Sequence, residues 1–302
     1  MNAIHQFALE RAAVSNAIHD ACITDIRAFK PGNVSAGSPG HGMQADDFIA
    51  SATAMAREIA APMADVGERI LRAVEATRSV VSVNTNLGII LLCAPLVHAA
   101  TARMAERRLR VRLHAVLVAL DVYDAELAYR AIRLAAPGGL GRADRHDVAQ
   151  SPSVTLSEAM NEARERDRIA YQYVSDFEDI FETALPALRE THARWRSRDW
   201  AAVYVYLVML ARFLDSLIVR KHGVEVAADV SRQAADLESA LARVDDPSRE
   251  LPALEAFDRQ LKAKSINPGT TADLTVAALV AMDLEDSLEK LSPASRAGSA
   301  SG

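Results

Sequence analysis

Cysteine is nearly missing from this 302-residue chain: only Cys22 and Cys93 occur, each inside an apolar stretch. Two are too few for a disulfide scaffold or a cysteine zinc site, and they suit a reducing compartment. Aromatics make up 5% of the residues, and the alternation of β-branched residues that marks strands is rare. A basic excess is lacking too: 34 Lys and Arg stand against 40 Asp and Glu, a net charge of −6. That leaves nothing over for a sequence-independent grip on nucleic acid, which is not an expected partner. The opening MNAIHQFALERAAVSNAIHD carries acids and histidines where a signal peptide needs a basic end and an apolar run. The most apolar run, Leu87 to Ala100, is shorter than the ~20 residues of a membrane helix. A soluble, cytoplasmic protein with no membrane partner is expected.

What is present is helical. Half the residues are hydrophobic and a quarter charged, the balance of a globular protein with a sizeable core. Alanine and leucine dominate, and apolar residues recur at three- and four-residue spacing. The pattern predicts helices near 3–28, 46–60, 65–79, 85–104, 111–120, 124–136, 156–185, 198–221, 225–244, 250–263 and 271–290. The stretch from Arg110 to Tyr123 reads as a buried strand or as two helices. Asp121 followed three residues later by Asp124 favours a break between helices. Gly223 behind Arg220-Lys221-His222 marks a helix stop, and Pro247 and Pro268 separate later helices. No repeat or long linker divides the chain. The expected architecture is all-α, a single multi-helix domain with buried central helices over 1–291. A disordered tail of little apolar content follows at 292–302. The apolar helices leave room for a homodimer.

Chemistry in an all-helical protein is expected at helix ends and inward polar positions, so the polar breaks carry the argument. Lys30-Pro31-Gly32-Asn33 opens a loop running to His41 and Asp46-Asp47. Its lysine suits a phosphate, and its plain alternative is a turn before a helix with an acidic first turn. Asn84-Thr85-Asn86-Leu87-Gly88 precedes the most apolar helix; these residues either cap it or hydrogen-bond a nucleotide. Pro137-Gly138-Gly139-Leu140-Gly141, with Asp147 downstream, either converges N–H groups on an anion or is a flexible connector. Arg212, Ser216 and Arg220 recur every four residues, with Asp215 on the edge of that face. In so apolar a helix such residues face a cavity rather than form an exposed ion-pair stripe. Asn267-Pro268-Gly269-Thr270-Thr271-Ala272-Asp273 opens the last long helix. A helix N-terminus with flanking hydroxyls is an anion site, and Asp273 either holds a metal ion or serves as an ordinary first-turn acid. The run Arg164-Glu165-Arg166-Asp167-Arg168 reads as a solvated charge cluster.

Taken together and in this order, the blocks resemble the triphosphoribosyl-dephospho-coenzyme A synthase family. The strongest pieces are Lys30-Pro31-Gly32, Asn84-Thr85, Asp215 with Arg220, and Asn267-Pro268-Gly269 followed by Ala272-Asp273-Leu274. Pro137-Gly138-Gly139-Leu140-Gly141 and Asp215-Ser216 with Arg220-Lys221 look more like the branch of archaea and methanopterin-using bacteria than the citrate-lyase branch. The resemblance implies an all-helical fold and an enzyme that uses ATP to place a triphosphoribosyl group on 3′-dephospho-coenzyme A, releasing adenine. The alternatives are another acceptor in methanopterin-linked cofactor synthesis, or a non-catalytic nucleotide-binding protein. ATP as substrate and Mg²⁺ are the implied small molecules.

Roles follow as expectations from that resemblance and from the demands of ribosyl transfer. Asp215 is the expected base or cation stabiliser, with Arg220 beside it. Lys30, Arg220, Lys221 and the Thr270-Thr271 helix end would hold phosphates, supported by Pro31, Gly32, Asn33, Gly138, Gly139, Asn267 and Gly269. Asn84, Thr85 and Asn86 would meet the nucleotide. Asp273, with Asp25 or Asp47, would position Mg²⁺.

Overall fold

The segment from Leu87 to Thr101 is apolar on every side, and a helix without a polar face has to lie inside. In the computed structural model, which describes residues 3–104 and 106–290, it does so, and the rest of the chain is wound round it. The helices run α1 (Ala3–Arg27), α2 (Ala45–Ile59), α3 (Val66–Val80), α4 (Leu87–Thr101), α5 (Leu109–Ala119), α6 (Val122–Ala135) and α7 (Leu156–Ala163). They continue with α8 (Arg168–Val174), α9 (Leu185–Trp195), α10 (Arg198–Arg212), α11 (Ser216–His222), α12 (Val224–Leu241), α13 (Leu251–Ala263) and α14 (Gly269–Lys290). No strand occurs among the described residues; two isolated bridges, Ser35 with Ser38 and Gly40 with Met43, pin the loop before α2. The tail expected at 292–302 lies outside the described residues.

α4 and α14 pack on each other at the centre, and α1 and α10 flank α14. The amphipathic α2, α3 and α6 close one side, α2 on α3 and α3 on α6, while α9 and α12 close the other against α10. One contiguous apolar cluster runs through them, with Ile90, Leu92, Leu96, Val276, Ala277 and Leu279 fully buried. Cys22 and Cys93 are both free and buried within it. No single helix is long and apolar enough to cross a membrane.

Most predicted helices form, and the break expected at Asp121 is there. Asp121 accepts the Asp124 N–H at 2.9 Å while Asp124 returns the bond to the Asp121 N–H at 3.1 Å, a reciprocal cap that starts α6. Two long helices expected from the pattern are broken. The segment predicted as 156–185 divides into α7, α8 and a π-helical turn, Asp179–Ala184, which runs on into α9. Asp167 caps α8 through the Ile169 N–H at 2.9 Å, and Asp176 and Phe177 take left-handed backbone angles, φ 52 and 56°. Phe177 is completely buried, so its packing offsets the strain. The segment predicted as 198–221 bends by 53° between α10 and α11. Asp215 sits there in extended conformation and caps the second helix. Arg212, Ser216 and Arg220 therefore do not share one helical face. Apolar periodicity runs straight across both breaks and hides them.

Candidate active site

One large cavity, about 780 Å³, lies where the N-termini of α4 and α14 meet the α7–α8 and α10–α11 breaks. Such a volume is within the range of small-molecule sites. The chain's distant polar loops converge on it. Its wall carries Asp25 from α1, Asn33 from the following loop, Asn84, Thr85, Asn86 and Gly88 at the start of α4, and Gly138. Arg220 and Lys221 of α11, with Asn267, Gly269, Thr270 and Asp273 at the start of α14, complete it.

The last of these lies close against the start of α4. A Cβ on Gly88 would lie 2.0 Å from Asp273 Oδ2, 2.6 Å from its Cγ and 2.7 Å from Ile169 Cδ1. The Asp273 carboxylate thus lies directly on the α4 backbone, in the space a side chain would fill. Burial pushes its carboxyl well above the ordinary range, and the charges of Asp25, Asp215 and Asp167 push it further, with Lys30 pulling the other way. Asp25 is buried at 4% exposure. Its Oδ2 lies 2.6 Å from Lys30 Nζ, while its Oδ1 is buried with no hydrogen-bond partner. A buried carboxylate oxygen with no donor is costly unless something cationic or protic meets it.

Several expected ligands stand behind the wall rather than on it. Lys30 is 1% exposed and engaged by Asp25 and by Asn33 Oδ1 at 3.2 Å, so its ammonium orients Asp25 instead of reaching a phosphate. Asn33 in turn donates to Asn267 Oδ1 at 2.9 Å, tying the first loop to the last. Pro31 and Gly32 shape that loop: Tyr206 donates to the Pro31 carbonyl at 2.6 Å. Gly32, at φ 80°, leaves no room for a Cβ between Leu261 and Pro268. Asp47 is drawn into capping α2, accepting the Gln44 N–H at 2.8 Å, and is absent from the cavity wall. Among the described residues no group of three acidic, histidine or cysteine side chains forms a metal cluster.

Asp215, expected as the base, is not on the wall. Its Oδ1 accepts the Leu217 and Ile218 N–H groups at 2.9 and 3.0 Å. Its Oδ2 accepts the Thr271 N–H and hydroxyl at 2.7 and 2.8 Å. All its acceptor capacity is used in joining the starts of α11 and α14, and Thr271 is used with it. Thr270 remains for a ligand. Asp215→Ala would strand four buried donors, and urea unfolding should show a loss of about 3 kcal/mol. A loss under about 1 kcal/mol would mean the joint is not what holds the two helix starts together.

Asp167 and Arg166, expected in a solvated charge run, both line the cavity. Asp167 Oδ2 lies 3.5 Å from Arg220 Nη1, and the Arg220 Nε is buried without a partner. Arg168, next in the run, turns inward between the rings of Tyr171 and Phe213, 3.9 and 4.2 Å from their centroids. There it grips Asp179 through two bonds of 2.6 and 2.7 Å. Its N–H donates to Ser216 Oγ at 2.7 Å, joining the two breaks and setting Asp167 against Arg220. His41, Arg78, Arg142 and His146 also reach the wall; nothing in their local spacing marks them. Asn84 accepts the Leu87 N–H at 3.2 Å, and Thr85 pairs with Ser51 at 2.6 Å. Asn86 donates to Thr77 at 3.1 Å. Capping and facing the cavity therefore coexist in this block.

The family model for CitG, ATP:dephospho-CoA triphosphoribosyl transferase, matches residues 11–292. Among solved structures, a protein of Archaeoglobus fulgidus provisionally named triphosphoribosyl-dephospho-CoA synthase aligns with a TM-score of 0.60 at 27% identity. The alignment covers 78% of this chain and 98% of that one. A search of curated proteins returns no match.

Proposed function

The chain belongs to the CitG family of ATP:dephospho-CoA triphosphoribosyl transferases, and from that premise we propose that it transfers the triphosphoribosyl group of ATP to a hydroxyl of 3′-dephospho-coenzyme A. The C1′–adenine bond breaks, the hydroxyl oxygen bonds to C1′ and its proton passes to a base; adenine leaves with a proton taken from water at a ring nitrogen, and the base returns its proton to water. The observation that carries the reading is the meeting, in one cavity, of Thr270 at the start of α14 and the cations Arg220 and Lys221 with Asp25 and Asp273.

Mg²⁺ fits that pair: two carboxylates, one with an unpartnered oxygen, plus phosphate oxygens are the ligands this ion prefers. Bound there, it supplies positive charge that draws the triphosphate in and offsets its repulsion. The chain does the rest. Lys30 holds one oxygen of Asp25 and so aims the other. The Thr270 N–H and hydroxyl and the cations Arg220 and Lys221 bind the phosphates. Asn84 is placed to hydrogen-bond the nucleotide.

Asp167 replaces Asp215 as the acceptor of the hydroxyl proton. With Asp25 and Asp273 on the cation, Asp215 fully capped, and Asp147 taken by the Ala143 and Ala149 N–H groups at 2.6 and 2.8 Å, it is the carboxylate left on the wall. Its Oδ2 has only the 3.5 Å contact to Arg220. Asp167→Asn should cut kcat about 10²-fold with little change in MgATP affinity; an unaltered kcat removes it from that role. The function itself is tested by incubating the protein with MgATP and dephospho-coenzyme A and following adenine by chromatography. Stoichiometric adenine and a triphosphoribosylated product are expected. MgATP binding with no adenine released would sink the reading.

A further inference from the structure

The carboxylates and the phosphate-binding helix end make only part of the cavity wall. α6, α7 and the loop between them make another part: Leu140 stands exposed on it, with edges of the nearly buried Ile132, Ala159 and Met160 beside it. Leu140 keeps 41% of its surface exposed, although its loop is tied down. Tyr129 donates to the His146 carbonyl at 2.7 Å, Arg133 donates to the Val148 carbonyl, and Asp147 gathers two N–H groups of the loop. A large aliphatic side chain held on a cavity wall with no apolar cover of its own is a surface for an apolar ligand.

Two exposed arginines, Arg142 and Arg166, stand on the same flank. The two parts of the wall are also electrically distinct. Tyr129 is raised by burial and then by Asp147, with Arg166 pulling down, whereas Asp273 feels Asp25, Asp215 and Asp167. Dephospho-coenzyme A has the complementary shape of charge: a diphosphate joined to a long, uncharged, thiol-ended pantetheine arm. Both substrates carry an adenosine; what sets ATP apart is its triphosphate, which suits the flank with Thr270, Arg220 and Lys221, and what sets the acceptor apart is the arm.

Resting on the transfer reaction above, we propose that the α6–α7 flank is the acceptor subsite. The pantetheine arm lies along Leu140, Ile132, Ala159 and Met160, with Arg142 and Arg166 on the diphosphate. These residues make the enzyme select a coenzyme A precursor over a bare nucleotide.

The test uses the full chain and 4′-phosphopantetheine as probe. Inhibition competitive against dephospho-coenzyme A and not against MgATP is expected. Leu140→Asp, on an exposed loop, should raise the KM for dephospho-coenzyme A and the inhibition constant of the probe by about tenfold. MgATP affinity by calorimetry without acceptor should stay within about twofold. Ala159→Leu, which fills the trough yet stays apolar, should act in the same direction. An unchanged acceptor KM in both variants, or a loss of MgATP affinity instead, overturns the subsite. Should the wild type release no adenine, the transfer reading fails by itself. The probe's direct binding, and its loss in Leu140→Asp, would still decide the apolar flank.

Discussion

Asp273→Asn is expected to lower turnover of MgATP and dephospho-coenzyme A by about 10³-fold while leaving the protein more stable than the wild type. The two effects have one cause. Asp273 lies near the buried Asp25 and Asp215 and the half-buried Asp167, and desolvation first, then those charges, raises its carboxyl well above its ordinary range. The sign follows from linkage: a carboxyl whose folded-state pKa is raised favours the fold when protonated. Its contribution is complete below the unfolded value and is lost as pH rises through the raised one. Asparagine carries no such charge. The gain in melting temperature should be near zero at about pH 4 and grow to a few degrees by about pH 8. Thermal melts across that range check it, with turnover measured on the same preparations. A variant less stable than wild type at pH 8 would mean that Asp273 is a structural acid, and the cation site would lose its second ligand.

Gly88→Ala should be nearly as damaging to turnover, and opposite in stability. In the first turn of a helix, Gly to Ala ordinarily helps by up to about 1 kcal/mol, because alanine loses less backbone freedom on folding. Here the added methyl would lie 2.0 Å from a carboxylate oxygen and 2.7 Å from Ile169. The carboxylate must move, and α4 is packed on α14, which carries it. Displacement by an ångström is enough to cost about 10²-fold in rate, and with Asp273 the proposed cation ligand its loss takes the effect toward 10³. The expected melting temperature is lower than wild type by several degrees. Combining Gly88→Ala with Asp273→Gly should recover only part of the stability and no activity, since the contact with the carboxyl goes, that with Ile169 stays and the ligand does not return. A single variant that melts like wild type and turns over normally would show that Asp273 has room to spare, contrary to the geometry.

Helical class, the central position of the 87–101 segment and the break at Asp121 were all legible in the sequence, because they depend on local periodicity and capping. So was the list of loops that matter: Asn84 to Gly88, Gly138, Arg220 and Asn267 to Asp273 announce themselves by polar residues and glycines interrupting apolar helices. The breaks at Phe213 to Asp215 and at Arg164 to Asp167 were hidden, since the apolar spacing continues across them. With them went the true situation of Asp215 and of Asp167. One looks like a free acid on a helical face and is a fully bonded clamp; the other looks like a solvated charge and stands on the cavity wall.

The order of residues thus determined that this protein is a bundle of helices with chemistry at its interruptions, because both properties arise from interactions among near neighbours. Which acid stands on the cavity wall, which lysine is paired to a buried carboxylate and which glycine makes room for another residue's side chain were settled by packing. Each of those depends on contacts between segments far apart in the chain, such as Gly88 with Asp273 or Asp215 with Thr271. No local pattern records them.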